Sequence, residues 1–143
     1  MNYQADLDLA LELADIADAI SLERFRALDL HVENKPDRSP VTDADRSVEQ
    51  AIKRMLAEKA PNDALIGEEY GNTGTSSRTW IIDPIDGTAN YLRGVPVWAT
   101  LIALAIDGKS VVSEFRPRPW VAAGGQRLTQ VPLPKTSMAA LAN

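Results

Sequence analysis

Trp80-Ile81-Ile82-Asp83-Pro84-Ile85-Asp86-Gly87-Thr88 is the stretch that decides how the rest of this chain reads. An apolar burst, read as a buried strand, runs into a tight turn that carries two carboxylates three residues apart. Two like charges at one strand end repel each other unless a cation holds them. Pro84 stiffens the turn so that both carboxylates can converge, and the Ile85 carbonyl between them is a further hard oxygen donor. Gly87 allows backbone to approach a ligand closely, and a helix starting near Thr88 would aim N–H groups at an anion. Asp-Pro by itself reads as an ordinary turn, since Asp, Pro and Gly are common there. The full string reads as a site with metal below and phosphate above.

Two further acidic clusters lie upstream. Gly67-Glu68-Glu69 follows the apolar burst Ala64-Leu65-Ile66. Paired glutamates are ordinarily a solvated surface, but their place after a predicted strand makes Glu68 a candidate for the same cation. The other cluster is Lys35 with Ser39-Pro40-Val41-Thr42-Asp43-Ala44-Asp45. Thr42 with Asp45 three residues later makes an acidic capping box, a structural helix start. The functional alternative sets Asp45 beside an attacking water and Lys35 near a phosphate. One residue can serve both roles.

Around these clusters the spacing predicts an amphipathic helix over 5–28, with Leu9, Leu13, Ile16 and Ile20 recurring at helical spacing and Ala10, Ala14 and Ala17 beside them. Residues 33–41 hold two prolines and predict a loop or edge segment. A second helix begins near Thr42 and runs to about Lys59, with Val48, Ile52, Met55 and Leu56 as its stripe, until Pro61 stops it. Short strands follow at 64–66 and 80–82, with a polar loop at 71–79. The best strand is Val97 to Ile106, closed by Asp107-Gly108. Helices followed by short buried strands predict an α+β layered domain. Its metal- and phosphate-binding part is expected over 1–107, with 108–143 a shortened tail of the same fold.

The chain has 143 residues, a formal net charge of −5, one histidine and no cysteine. The length suits one domain with a real core. Without Cys there is no disulfide, thiolate zinc site or cysteine nucleophile, and a lone His31 removes most histidine-based metal sites. The acidic balance disfavours a nucleic-acid backbone partner but leaves room for oxygen-ligated divalent cations. Met1 to Asp6 has no basic stretch of a signal peptide, and the longest apolar run, Val97 to Ile106, is ten residues and interrupted by Thr100. The expectation is a soluble cytoplasmic protein with no membrane partner.

The three clusters, in this order, resemble the inositol monophosphatase family of magnesium-dependent phosphatases. The matching pieces are Pro40 to Asp45, Gly67-Glu68-Glu69-Tyr70-Gly71, the run from Trp80 through Asp83-Pro84-Ile85-Asp86-Gly87-Thr88 to Leu92, and Val95 to Ala99. Lys35-Pro36-Asp37 with Arg93-Gly94-Val95-Pro96-Val97-Trp98 looks most like the histidinol-phosphatase branch. The resemblance implies the N-terminal part of a layered αβαβα fold, Mg²⁺ as cofactor and a small phosphorylated metabolite as substrate. That substrate would be histidinol phosphate, with inositol monophosphate the alternative, and a homodimer is the expected assembly. It makes Glu68, Asp83 and the Ile85 carbonyl ligands of a first Mg²⁺, with Asp83 and Asp86 sharing a second. Thr88, hydrogen-bonded to Asp45, would orient the attacking water, and Glu68 would act with them in catalysis. The Gly87 and Thr88 amides and Lys35 would hold the phosphate. Haloacid-dehalogenase-type phosphatases place one residue between their aspartates; here Pro84 and Ile85 stand between them. An EF-hand would need a glycine and a distal glutamate that Asp43-Ala44-Asp45 lacks.

The last 36 residues depart from this pattern. From Gly108 onward there is no Asp and one Glu, Glu114, against five basic residues, so the segment is +4 and the first 107 residues are −9. Members of the family are longer, and a later segment supplies another aspartate for the second metal. Residues 111–128 read as a compressed remnant of the strand region that follows. Three classes of function are therefore expected: an impaired or working phosphomonoesterase, a non-catalytic metal- or phosphate-binding module, and a decayed or truncated product. Strand Val97 to Ile106 is expected to expose an apolar edge and promote association.

Overall fold

In the computed structural model, which describes residues 1–117, the chain order is α1 (Gln4–Arg24), β1 (Val32–Asn34), β2 (Pro40–Thr42), α2 (Asp43–Lys59), β3 (Ala64–Gly67), β4 (Gly71–Thr73), β5 (Arg78–Asp86), α3 (Thr88–Leu92), β6 (Ala99–Ile106) and β7 (Lys109–Pro117). Strands β3 to β7 form one sheet of order β4-β3-β5-β6-β7, in which β3 and β5 run parallel and the other neighbours antiparallel. Helices α1 and α2 pack against each other and cover one face. Leu13, Val48, Ile52 and Leu56 meet Leu65, Trp80, Ile82, Ile102, Leu104 and Val112 in the main core.

Helix α1 differs from its expected stripe. The residues it buries completely are Ala10, Leu13, Ala14, Ala17 and Ser21, whereas Leu9, Ile16 and Ile20 are only partly buried at the margin of the core. Small side chains at the centre of the buried face let the helix axis approach what it packs on, here α2 and the strands β6 and β7, and the larger ones flank them. The helix also stops at Arg24 rather than reaching 28. Phe25 turns to extended backbone, Arg26 takes a positive φ of 62°, and the Arg24 guanidinium ties Asp29 and Asp43 together at 2.8 Å each. This ion-paired corner sets the start of α2 against the end of α1.

Helix α2 begins as expected. Thr42 is its N-cap in a complete capping box with Asp45, which satisfies amides that a helix start leaves open. The proline-bearing stretch before it is a small antiparallel hairpin, β1 with β2, closed by the Lys35 amide donating to the Ser39 carbonyl and the Arg38 amide donating to the Lys35 carbonyl, 2.8 Å each. The polar stretch 71–79 is not all loop, because Gly71–Thr73 pairs with β3 as an edge strand.

The expected apolar edge at 97–106 is corrected by the topology. Strand β6 lies between β5 and β7, so both its edges are hydrogen-bonded. What is exposed is a face rather than an edge: Ile66, Ile81 and Phe115 are 40%, 43% and 48% accessible on the side away from α1 and α2. Part of the expected remnant, 109–117, is strand β7 of the main sheet; the rest of 111–128 and of the tail to 143 lies outside the described residues. Among the described residues no helix is long and apolar enough to cross a membrane.

The close α1–α2 contact has a direct consequence. Ala14→Leu should cost about 1–3 kcal/mol by overpacking, while Leu11→Ser, on the outer side of the same helix, should stay within about 0.5 kcal/mol. Denaturant midpoints at constant slope would measure both.

Candidate functional site

Successive side chains of a strand point to opposite faces, so two aspartates three apart should look away from each other. Strand β5 avoids this by a bulge rather than by the tight turn expected from Pro84. Asp83 stands opposite Leu101 and Asp86 opposite Ala99, so Pro84 and Ile85 together face the single residue Thr100. Leu101 and Ala99 are two apart on β6 and share a face, which brings both aspartates to one side. Proline has no N–H to lose from the ladder, and the buried Thr100 hydroxyl donates to the Pro84 carbonyl at 2.9 Å. Ile85 is buried in a second, smaller core with Ala44, Tyr91 and Trp98. Phe25, Tyr91 and Trp98 meet there with ring centroids 4.9–5.6 Å apart, and the Tyr91 hydroxyl donates to the Ser21 carbonyl of α1 at 2.7 Å. The bulge is thus held from both sides.

Gly87 joins the bulge to α3. Its φ is +91°, and an added Cβ would stand 3.0 Å from the Val97 carbonyl oxygen, so both conformation and space require glycine. Immediately after it, the Thr88 hydroxyl lies 2.9 Å from Asp45 Oδ1 and 2.9 Å from the Ile85 carbonyl. Its single proton serves one of these acceptors at a time. Asp45 is fully buried; its Oδ2 accepts from the Thr42 amide at 2.8 Å and the Thr42 hydroxyl at 2.6 Å. The capping box and the contact to Thr88 therefore use different oxygens of one carboxyl group. Burial raises the Asp45 pKa against the lowering effect of these hydrogen bonds.

Glu68 and Glu69 follow the end of β3. The Glu68 amide donates to the Ile82 carbonyl at 3.3 Å, which fixes the loop beside β5 just before Asp83. Lys35, from the β1–β2 turn, reaches both carboxylates, 3.4 Å to Glu68 and 3.3 Å to Glu69. Burial works to lower the Lys35 pKa, but Glu69 and Glu68 outweigh it and the ammonium titrates above its ordinary value. Glu49 is a participant that the sequence reading missed. Buried on α2, it accepts from the Glu69 amide at 3.1 Å and the Tyr70 amide at 2.6 Å. A signal was present: Asp45, Glu49 and Ile52 follow helical spacing, so Glu49 is an acid on an apolar stripe.

The electrostatics converge on Asp83. Its carboxyl lies within hydrogen-bonding distance of Glu68 and in the field of Asp86 and Asp45; burial first, then these neighbours, push its pKa up to about 8. Its Oδ1 is buried and finds no hydrogen-bond partner among the described residues. An orphaned carboxyl oxygen among like charges, which otherwise keeps a proton, fits a hard divalent cation in that proton's place. Among the described residues no three acidic or histidine side chains form a metal cluster by themselves. A cation here would draw on Glu68, Asp83 and the Ile85 carbonyl, the last of which keeps a second lone pair beside Thr88. Because the folded protein holds the Asp83 proton to about pH 8 and the unfolded chain releases it near 3.8, the native state binds more protons between these values. Stability in metal-free buffer should fall as pH rises from about 4 to about 8. Thermal melts in EDTA should show this slope, and Asp83→Asn should flatten its upper part.

The model of the inositol monophosphatase family matches residues 2–114. The chain is 58% identical over 103 residues to a histidinol-phosphatase of Streptomyces coelicolor, covering 72% of this chain and 39% of that protein. It is 52% identical over 126 residues to a histidinol-phosphatase of Mycobacterium tuberculosis, covering 85% and 48% respectively. Among solved structures, an inositol monophosphatase from Zymomonas mobilis superimposes with a TM-score of 0.67 at 40% identity, over 82% of this chain and 45% of that one. The chain thus spans between two fifths and half the length of these relatives. With a family model matched over most of its length and the three acidic clusters assembled in one fold, the chain belongs to the inositol monophosphatase family.

Proposed function

We propose that this chain carries the cation- and phosphate-binding half of a Mg²⁺-dependent phosphomonoesterase whose substrate is histidinol phosphate. The observation that carries the proposal is Asp83: a half-buried carboxyl group with one buried, unpartnered oxygen, crowded by Glu68 and Asp86. Glu68, Asp83 and the Ile85 carbonyl would hold the first ion, and Asp83 with Asp86 would contribute to a second. Bound there, a divalent cation would lower the pKa of a water, clamp phosphate oxygens and neutralise charge on the leaving oxygen.

The protein's own groups would do the rest. Thr42 fixes one Asp45 oxygen and leaves the other for Thr88. When the Thr88 hydroxyl donates to Asp45, its lone pairs are free to accept a hydrogen bond from the attacking water and turn that water toward phosphorus, with Asp45 the base behind it. The Gly87 and Thr88 amides would take two phosphate oxygens, close to where Gly87 lets the backbone approach. Lys35, already among the glutamates, would supply positive charge on the phosphate side. The phosphorus–oxygen ester bond would break as the water oxygen bonds to phosphorus; the proton that the water gives up toward Thr88 and Asp45 is balanced by the one the leaving alkoxide takes from solvent, so alcohol and phosphate are the products. The choice of histidinol phosphate over inositol 1-phosphate follows the names of the relatives at 58% and 52% identity. A cytoplasmic, homodimeric setting belongs to the same reading.

The test is inorganic phosphate release from histidinol phosphate and from inositol 1-phosphate, with Mg²⁺ and with EDTA, beside calorimetric titration of Mg²⁺. Release that needs Mg²⁺, prefers histidinol phosphate and disappears in Asp83→Asn is the expected result. Asp83→Asn should also weaken Mg²⁺ by more than the roughly tenfold that loss of a supporting group costs a metal site. Preference for inositol 1-phosphate would overturn the substrate assignment alone. Release unchanged by EDTA or by Asp83→Asn would overturn the mechanism.

A further inference from the structure

We infer that Glu49 is a positioning residue for the cation site: it sets the backbone that aims Glu68, without touching the ion or substrate itself. The inference rests on the cation reading of Glu68 and Asp83. Glu49 is 1% accessible, and each of its carboxyl oxygens accepts one main-chain amide, Oε1 from Glu69 and Oε2 from Tyr70. These are the two residues that follow Glu68. On its other side, Glu68 is anchored by its own amide on the Ile82 carbonyl of β5. The peptide that carries Glu68 is therefore pinned from both directions, once to the sheet and once to α2.

Gly67 completes the device. An added Cβ there would fall 1.9 Å from Glu49 Oε1 and 2.4 Å from its Cδ. The glycine before Glu68 is thus required by the Glu49 carboxylate, which occupies the space where a side chain would stand. Its backbone conformation does not call for glycine, since no positive φ is recorded at this position. Two amides, one on each oxygen, need two acceptors side by side, and a carboxylate meets that need where an amide side chain would turn a donor on one of them. Groups that orient metal ligands in this way matter nearly as much as the ligands.

The experiment compares wild type, Glu49→Gln, Gly67→Ala and Asp83→Asn, using Mn²⁺ as the probe ion, counted by the electron-spin signal of the free metal. Amide hydrogen exchange is measured on the same metal-free samples. In Glu49→Gln the Glu69 and Tyr70 amides should exchange at least about tenfold faster while those of β6 do not change, and Mn²⁺ affinity should fall about tenfold. Gly67→Ala keeps the Glu49 charge but displaces the carboxylate, and should reproduce both effects even if Glu49→Gln folds poorly. Faster exchange with Mn²⁺ affinity within twofold of wild type would overturn the inference, leaving Glu49 as a structural loop anchor. Wild-type binding no tighter than that of Asp83→Asn would instead overturn the cation reading, and the inference with it.

Discussion

The structure turns on one extra residue in β5. Without the bulge at Pro84 and Ile85, Asp83 and Asp86 would sit on opposite faces of the sheet, and no single ion could use both. The bulge costs the ladder a regular pair, and three features offset that cost. Proline has no N–H to leave unpaired, the Thr100 hydroxyl satisfies the Pro84 carbonyl, and Ile85 is driven into an aromatic pocket. Most of what surrounds it can be understood as support for that irregularity. The ring cluster of Phe25, Tyr91 and Trp98 backs Ile85, and the Tyr91 hydroxyl ties the cluster to α1.

Acidic groups then accumulate, and their crowding is offset by the proton that Asp83 keeps to about pH 8 and by Lys35 between the two glutamates. Asp83, Asp45, Glu49 and Glu69 all titrate above their ordinary values, each chiefly because it is buried. A fold selected for stability alone would have little reason to bury so many carboxyl groups near one strand end, where desolvation and mutual repulsion both oppose ionisation. The cation site proposed above would supply that reason. The same crowding links stability to pH, and on that proposal it would link metal binding to proton release, because an ion would replace the proton that Asp83 otherwise keeps.

The site is also assembled from separate parts of the chain in a definite hierarchy. Helix α2 contributes Asp45 and Glu49 from one buried face, one directed to Thr88 and the other to the loop after β3. The sheet contributes Asp83, the Ile85 carbonyl and the anchor for Glu68. The β1–β2 turn brings Lys35 over the glutamates from a third direction. None of these elements carries the acidic groups alone, so the integrity of the α1–α2 packing and of the sheet carries directly into the geometry of those groups.

Local chemistry made much of this legible in the sequence. The capping box at Thr42 and Asp45 is written in four residues, Pro61 lies just past the end of α2, and the apolar bursts at 64–66 and 80–82 are strands, with Leu65, Trp80 and Ile82 facing the core and Ile66 and Ile81 facing outward. The string from Trp80 to Thr88, with Glu68 and Asp45 upstream, marked the acidic site and the family because rare residue combinations at fixed spacing survive translation into one dimension. Tertiary structure decided the remainder. Periodicity could not tell that α1 would bury its alanines rather than its isoleucines, since that depends on where α2 and the strands β6 and β7 meet the helix. Composition could not tell that β6 would be interior, since pairing partners come from distant sequence. Nor could spacing reveal that a bulge, not a turn, faces the two aspartates the same way, or that Glu49 reaches the loop 20 residues further on. Those outcomes depend on which strands and helices meet, and contacts between distant residues exist only once the chain has folded.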